Sequence, residues 1–418
     1  MSLLESASLI LTPNGYKSGK LYSIVPSSGN GDLTFTRATS ASRTNSSGLI
    51  ETVLTGVPRL DYSGSTPSIL LEPQRTNLAA YSTQFNDAYW SKTNSTISSN
   101  LITAPDGTTT ADKIVSNLVT ARISVAKTFT VTANVKNTFT LYAKAAEWSR
   151  ICIFHDATTF SEGAYYGAGV QIDLLTGIST NSSILKATSV GNGWYRIETS
   201  ATPTITSHDI EIVPFNPVNT GNVNAVVGDG VSGVYIWGAQ FESSASYATS
   251  YIPTTTSTVT RNADLASVSG VSSLIGQTEG VMFIESAALA NDLTRRVLSI
   301  SDGTADNRIF IRYEVTSNTI SAFGVVGGVS FPNQIMYTLS DETQYAKIAL
   351  RYRVNDITLW VNGAKRGIDT TSQILPSNLS RLAFDRGDNV DIFYGKVKSA
   401  QLYKTYLTDA EMVSLTTL

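Results

Sequence analysis

Gly233-Val234-Tyr235-Ile236-Trp237-Gly238-Ala239-Gln240 reads as a β-strand. Its side chains alternate between two faces, so one member of each neighbouring pair points inward and the other outward. Stretches 111–115, 122–125, 139–144, 171–174 and 193–200 carry the same period of two. They recur at the spacing of a sandwich, and residues 84–262 are therefore expected to form a jelly-roll-like domain.

A second block of alternating stretches follows at 280–286, 308–313, 346–352, 357–363 and 391–403, which predicts another antiparallel sandwich over 263–418. Between the two blocks, 251–262 is Thr-rich and reads as an extended connector. Residues 1–83 are dense in turn residues, among them Pro13-Asn14-Gly15, Gly29-Asn30-Gly31-Asp32 and Ser46-Ser47-Gly48, with short strands such as 33–37 between them. This is expected to be a small β-rich N-terminal region. Thr408 followed by Glu411 is a capping box and predicts one short terminal helix. The fold class is thus all-β: tandem antiparallel sandwiches behind a small N-terminal β region.

Composition narrows the functions. Charged residues are 15% of the 418, the formal net charge is −3, and no Lys/Arg run appears, so the electrostatic drive for nucleic-acid binding is small. No apolar run approaches the ~20 residues of a membrane helix, and the start lacks a signal-peptide pattern. The single cysteine, Cys152, rules out an intrachain disulfide and thiolate metal clusters. A protein made in the cytoplasm, stabilised by packed cores or by association, is the expectation.

Several phrases, taken as a set, resemble those of a widespread family of bacteriophage virion proteins: TRATSASRTNSSGLIE (36–51), PRLDY (58–62), LLEPQRTNL (70–78), APDGTTTADKIV (104–115), GNGWYRIETSAT (191–202), GVYIWGAQFE (233–242) and SYATSYIPTTTSTVTRNAD (246–264). ITLWVNGAKR (357–366) and FYGKVKSAQLYKTYLTDAEM (393–412) are similar to lectin-like modules. The resemblance implies an attachment and oligomerisation region at 1–83, a carbohydrate-binding-module-like jelly roll at 84–262 and a laminin-G or concanavalin-A-like sandwich at 263–418. It also implies a fibre, spike or decoration protein on the virion, made in the host bacterial cytoplasm and partnered by other virion proteins and host glycans. Homo-oligomers, commonly trimers, go with such proteins. About eighty turn-rich N-terminal residues could hardly bury a core alone, which points to the same association.

Catalytic residue types are scarce. His155 and His208 are the two histidines, in neither metal nor triad spacing. A glycosidase would need two opposed carboxylates, and Asp156, Glu162 and Asp173 could supply them, but acidic loop residues are ordinarily solvated charge. The protein is expected not to be an enzyme and to need no cofactor. Sugar sites stack aromatic faces on pyranose rings and hydrogen-bond their hydroxyls. Trp148, Arg150, Tyr165 and Tyr166 lie beside turns rather than within strands and are the candidate sugar contacts; the competing reading has Trp148 capping the core. Trp194, Trp237 and Trp360, inside alternating strands, are read as core. Asp302 and Asp306 in one loop, Asp385 and Asp388 in another, are candidate Ca²⁺ ligands, although such Asp/Asn/Gly clusters also build turns. Two alternatives to a glycan-binding display protein stay open: a polysaccharide-degrading tail enzyme and a purely architectural tail or capsid component.

Overall fold

A computed structural model describes residues 2–155, 171–182, 185–215, 224–371 and 373–418. The chain is all-β, with antiparallel pairing throughout its sheets. It folds into two units, each assembled from separated segments. One comprises Met1–Ser40, Val53–Gln74 and Asn262–Leu418; the other comprises Ala41–Thr52 and Arg75–Arg261.

In the 75–261 unit the strand Gly233–Glu242 lies between Ala111–Ser116 and Asn137–Ala145, and Trp194–Ala201 pairs on the far side of Asn137–Ala145. A second sheet runs Ile172–Asp173, Arg150–His155, Ser207–Phe215, Ser124–Thr130, Ser91–Thr93. Leu141, Ile197, Ile236 and Phe241 from the first sheet pack against Phe129, Ile153, Ile210 and Ile212 from the second. Phe129 and Phe241 stack with centroids 4.1 Å apart. That shared core makes the unit a sandwich.

The alternation of Gly233–Glu242 slips once. Val234 and Ile236 face the core, but so do Ala239 and Phe241, because the register shifts between Thr140 and Tyr142 on the neighbouring strand. Gly238 takes up the shift at φ +64, and a Cβ there would stand 3.0 Å from the Tyr142 ring. Only glycine meets both demands, and the result is a bulge that keeps Trp237 on the face opposite the core.

The 262–418 sandwich does not close by itself. Its strand Gly395–Tyr403 pairs with Glu279–Ala288, and also with Ala7–Lys17 and Ser68–Leu71. Leu33–Thr36 pairs with Leu265–Ser269. Leu9, Leu11, Leu21, Leu33 and Phe35 are buried in one core with Met282, Ile348 and Leu402. The expected separate region 1–83 is therefore corrected: most of it completes the C-terminal sandwich, while 41–52 and 75–83 belong to the other unit. The physical ground for a trimer held by this region, a core it could not fill, is removed as well, since the chain fills that core from its own C-terminal half. The terminal helix Asp409–Thr416 forms with its Thr408/Glu411 capping box.

Where these segments meet, Arg37 and Arg59 face Asp264 and Glu72, all nearly inaccessible. Asp264 accepts from Arg37 Nη1 at 3.0 Å, from Arg59 Nη2, and from the Glu72 backbone N–H at 2.8 Å. Burial works against the charge on Arg59, but Asp264 and Glu72 outweigh it and hold the guanidinium protonated. Two cations and two anions cancel. Replacing Asp264 with Ala leaves two buried guanidiniums facing one carboxylate and is expected to lower stability by about 3–5 kcal/mol. Urea unfolding should show this as a lower midpoint, and an unmoved midpoint would show that the cluster carries no weight.

Candidate functional site

The sheet face turned away from the 75–261 core carries a second aromatic cluster: Tyr142, Trp194, Trp237 and Tyr251, with Ala104 and Ala111. Trp237 and Tyr251 lie 4.7 Å apart, and each meets Tyr142 nearly edge-on. Over them folds the hairpin of Ala41–Thr44 and Ile50–Val53. The turn closes through Asn45, whose side-chain oxygen accepts from the N–H groups of Ser47 and Leu49. Ile50 N–H donates to Pro105 O at 3.0 Å, and Ile50 packs on the aromatic cluster.

Between hairpin and sheet a cleft of about 490 Å³ remains, within the range of small-molecule sites. Trp237 and Tyr251 line it, together with Glu51, Asp106 and a set of Ser and Thr residues. A hydrogen-bond chain runs along its wall. Trp237 Nε1–H donates to Thr110 Oγ1 at 3.0 Å, and the Thr110 and Thr108 hydroxyls meet at 2.7 Å. Thr108 Oγ1 in turn donates to Asp106 Oδ1 at 2.7 Å, which sets the direction of the whole chain. Tyr251 OH bonds to Ser82 Oγ at 2.6 Å, and burial pushes its phenol pKa up, so it stays neutral. For Glu51, burial opposes charge, but hydrogen bonds from Arg43 and Asn45 prevail and hold the carboxyl below its usual range. The site is a preorganised aromatic floor edged with hydroxyls and carboxylates.

The residues singled out from sequence lie elsewhere. Trp148 packs in the sandwich core and does not line the cleft. Arg150 opens the strand Arg150–His155, half-buried and opposite Asp173. Tyr165 and Tyr166 fall outside the described residues, as do Asp156 and Glu162. The calcium candidates are engaged by their own chain. Asp385 accepts from both Arg381 Nη atoms and from Gly387 N–H, Asp388 is gripped by Arg386, and Asp302 accepts from Thr304 and Asn307. Asp306 stays on the exposed loop. Among the described residues no three His, Cys, Asp or Glu side chains gather as metal ligands. Cys152 is buried, and burial pushes its thiol pKa far up.

Sequence reasoning assigned Trp237 to the core and Tyr251 to a connector. Both are nearly buried, yet they floor the cleft. The readable signal was the phase slip at Gly238, since bulges collect beside functional sites.

The two histidines, distant in sequence, meet in the core. His155 Nδ1 and His208 Nε2 are 2.6 Å apart, His155 Nε2 lies 2.8 Å from Thr199 Oγ1, and His208 Nδ1 lies 3.4 Å from Asn137 Nδ2. Asn137 Oδ1 accepts from Ser244 N–H, so Asn137 Nδ2 is the donor toward His208 and both rings can serve as neutral links. Burial and His208 together hold the His155 pKa well below its usual value.

No protein-family profile and no curated protein matches the chain. Among solved structures it is similar to the Ruminococcus gnavus IT-sialidase CBM40 bound to α2,3-sialyllactose, at 14% identity and TM-score 0.30, covering 34% of this chain and 84% of that one. It is similar as well to domain 4 of AbnA, a GH43 extracellular arabinanase from Geobacillus stearothermophilus in complex with arabinotriose, at 9% identity and TM-score 0.31, covering 37% and 73%. The receptor-binding domain of botulinum neurotoxin type G is matched at 11% identity and TM-score 0.27, covering 36% of this chain and 38% of that one.

The histidine pair makes stability pH-dependent. With the His155 pKa depressed in the fold, the unfolded chain takes up its proton first, so stability is full above pH ~6.5 and falls as the pH drops below it, by up to about 1.4 kcal/mol per pH unit for one such group. Urea midpoints measured from pH 7.5 down to pH 5 should show this fall, and His155→Gln should flatten it. A flat profile in the parent protein would refute the assignment.

Proposed function

We propose that this chain is a non-catalytic structural protein of a bacteriophage virion, a fibre, spike or decoration, that presents a saccharide-binding cleft to the host surface. The cleft is the observation that carries the saccharide reading. It joins two aromatic rings, whose polar atoms are already bonded within the protein, to a rim of hydroxyls and two carboxylates. The ring edges that reach the cleft offer aromatic carbon to the apolar side of a pyranose, and the oxygens around them accept from its hydroxyls. Glu51, held below its usual pKa, is ill suited to be the general acid of a glycosidase, which favours binding over cleavage.

The virion part of the reading is supported by the resemblance of the phrases quoted above. Four of them contain cleft residues: Glu51, then Asp106, Thr108 and Thr110, then Trp237, then Tyr251. On a particle, copies assembled as a homo-oligomer would engage several glycan chains at once and raise avidity by about 10²–10⁴ over one cleft.

Thr52 and Thr255 are exposed residues at the cleft rim. Thr52→Trp combined with Thr255→Trp fills the cleft without disturbing the core. On a glycan array the full-length protein is expected to bind, the filled variant to bind about tenfold more weakly or worse, and neither to release sugar from host envelope. Binding that survives the filling, or no binding at all, counts against the cleft; sugar release counts against a non-catalytic role.

A further inference from the structure

We infer that the cleft selects saccharides that carry no negative charge, and that it does so because its wall offers acceptors rather than donors. The inference rests on the reading of the cleft as a saccharide site. Four hydroxyls of the cleft wall, inside the exposed rim of Thr52 and Thr255, have committed their protons to the protein itself. Thr110 donates to Thr108 and Thr108 to Asp106, Ser42 Oγ donates to Tyr251 O, and Thr254 Oγ1 donates to Ala79 O. The capacity left to these groups is as acceptors.

The charges point the same way. None of the residues lining the cleft is basic. Glu51 is compensated in part by Arg43, which bonds it from within the hairpin. Among the described residues Asp106 has no ion-pair partner: its Oδ1 accepts from Thr108, and no protein donor reaches its Oδ2. A ligand entering here must bring protons to give. Neutral pyranose hydroxyls do so, and the ammonium of an amino sugar adds attraction to Asp106. A uronic or sialic carboxylate, or a sulfate, brings neither and meets like charge in a partly desolvated space.

The test is an array presenting neutral, amino-bearing and acidic oligosaccharides to the full-length protein, followed by calorimetric titration of the strongest neutral and acidic members. Neutral and amino saccharides are expected to bind at least about tenfold more tightly than acidic ones of similar size. Asp106→Asn should narrow that gap, as should ionic strength near about 1 M, which screens exposed charges. Circular dichroism checks that the variant keeps its fold. Acidic saccharides that bind as tightly as neutral ones, and that are lost when the rim is filled with tryptophan, overturn the charge selectivity and leave the saccharide reading standing. Failure of all three classes to bind, or binding indifferent to the filled rim, overturns both.

Discussion

The carboxylate of Asp264 is the constraint on which the 262–418 unit depends. It draws together three stretches of chain that are far apart in sequence: one ending at Arg37, one running from Arg59 to Glu72, and the start of the C-terminal segment itself. Buried ion clusters are expensive to assemble, because each charge loses its water, and this one is tolerable because its charges cancel. Arg37 also bonds the carbonyls of Thr39, Leu54 and Val57, which locks the two chain segments that lead to and from the hairpin. Removing one member strands the rest. Hydrophobic packing in this unit is extensive, but packing alone tolerates rearrangement, whereas Arg59, bridging two carboxylates through its two Nη atoms, accepts few geometries.

The strands were legible because their signal is local. An alternation of period two over six or more residues survives whatever the rest of the chain does, as Arg308–Tyr313 and Ala346–Arg353 illustrate. What escaped was long-range. Nothing near Leu9, Leu11 or Leu21 announces that these residues finish a sheet whose last strand ends at Tyr403. Nothing in the local pattern around Arg59, Glu72 and Asp264 announces that these charges meet almost completely buried.

The candidate site failed to show itself for a related reason. Trp148 stands beside a turn, which suggested exposure, but its N–H donates to Gly233 O and its ring turns into the sandwich. Trp237 sits in mid-strand, which suggested core, and it is indeed nearly buried, yet what covers it is a hairpin contributed by residues 41–52 that leaves its edge to a cleft. Sequence position relative to a turn reports backbone conformation. Which way an indole points is decided by partners that local pattern does not reveal.

The interleaving of segments has a consequence for how such a protein can change by recombination. The chain passes between units at 40/41, 52/53, 74/75 and 261/262. Exchange of 75–261 as one cassette would leave the ion cluster whole, because Arg37, Arg59, Glu72 and Asp264 all lie outside it. The incoming domain would still inherit the old 41–52 hairpin, with Ile50 and Glu51 shaped for an aromatic floor that had gone. A new ligand preference therefore has to arrive in two pieces, and the short piece, encoded well upstream, limits which long pieces can be accepted.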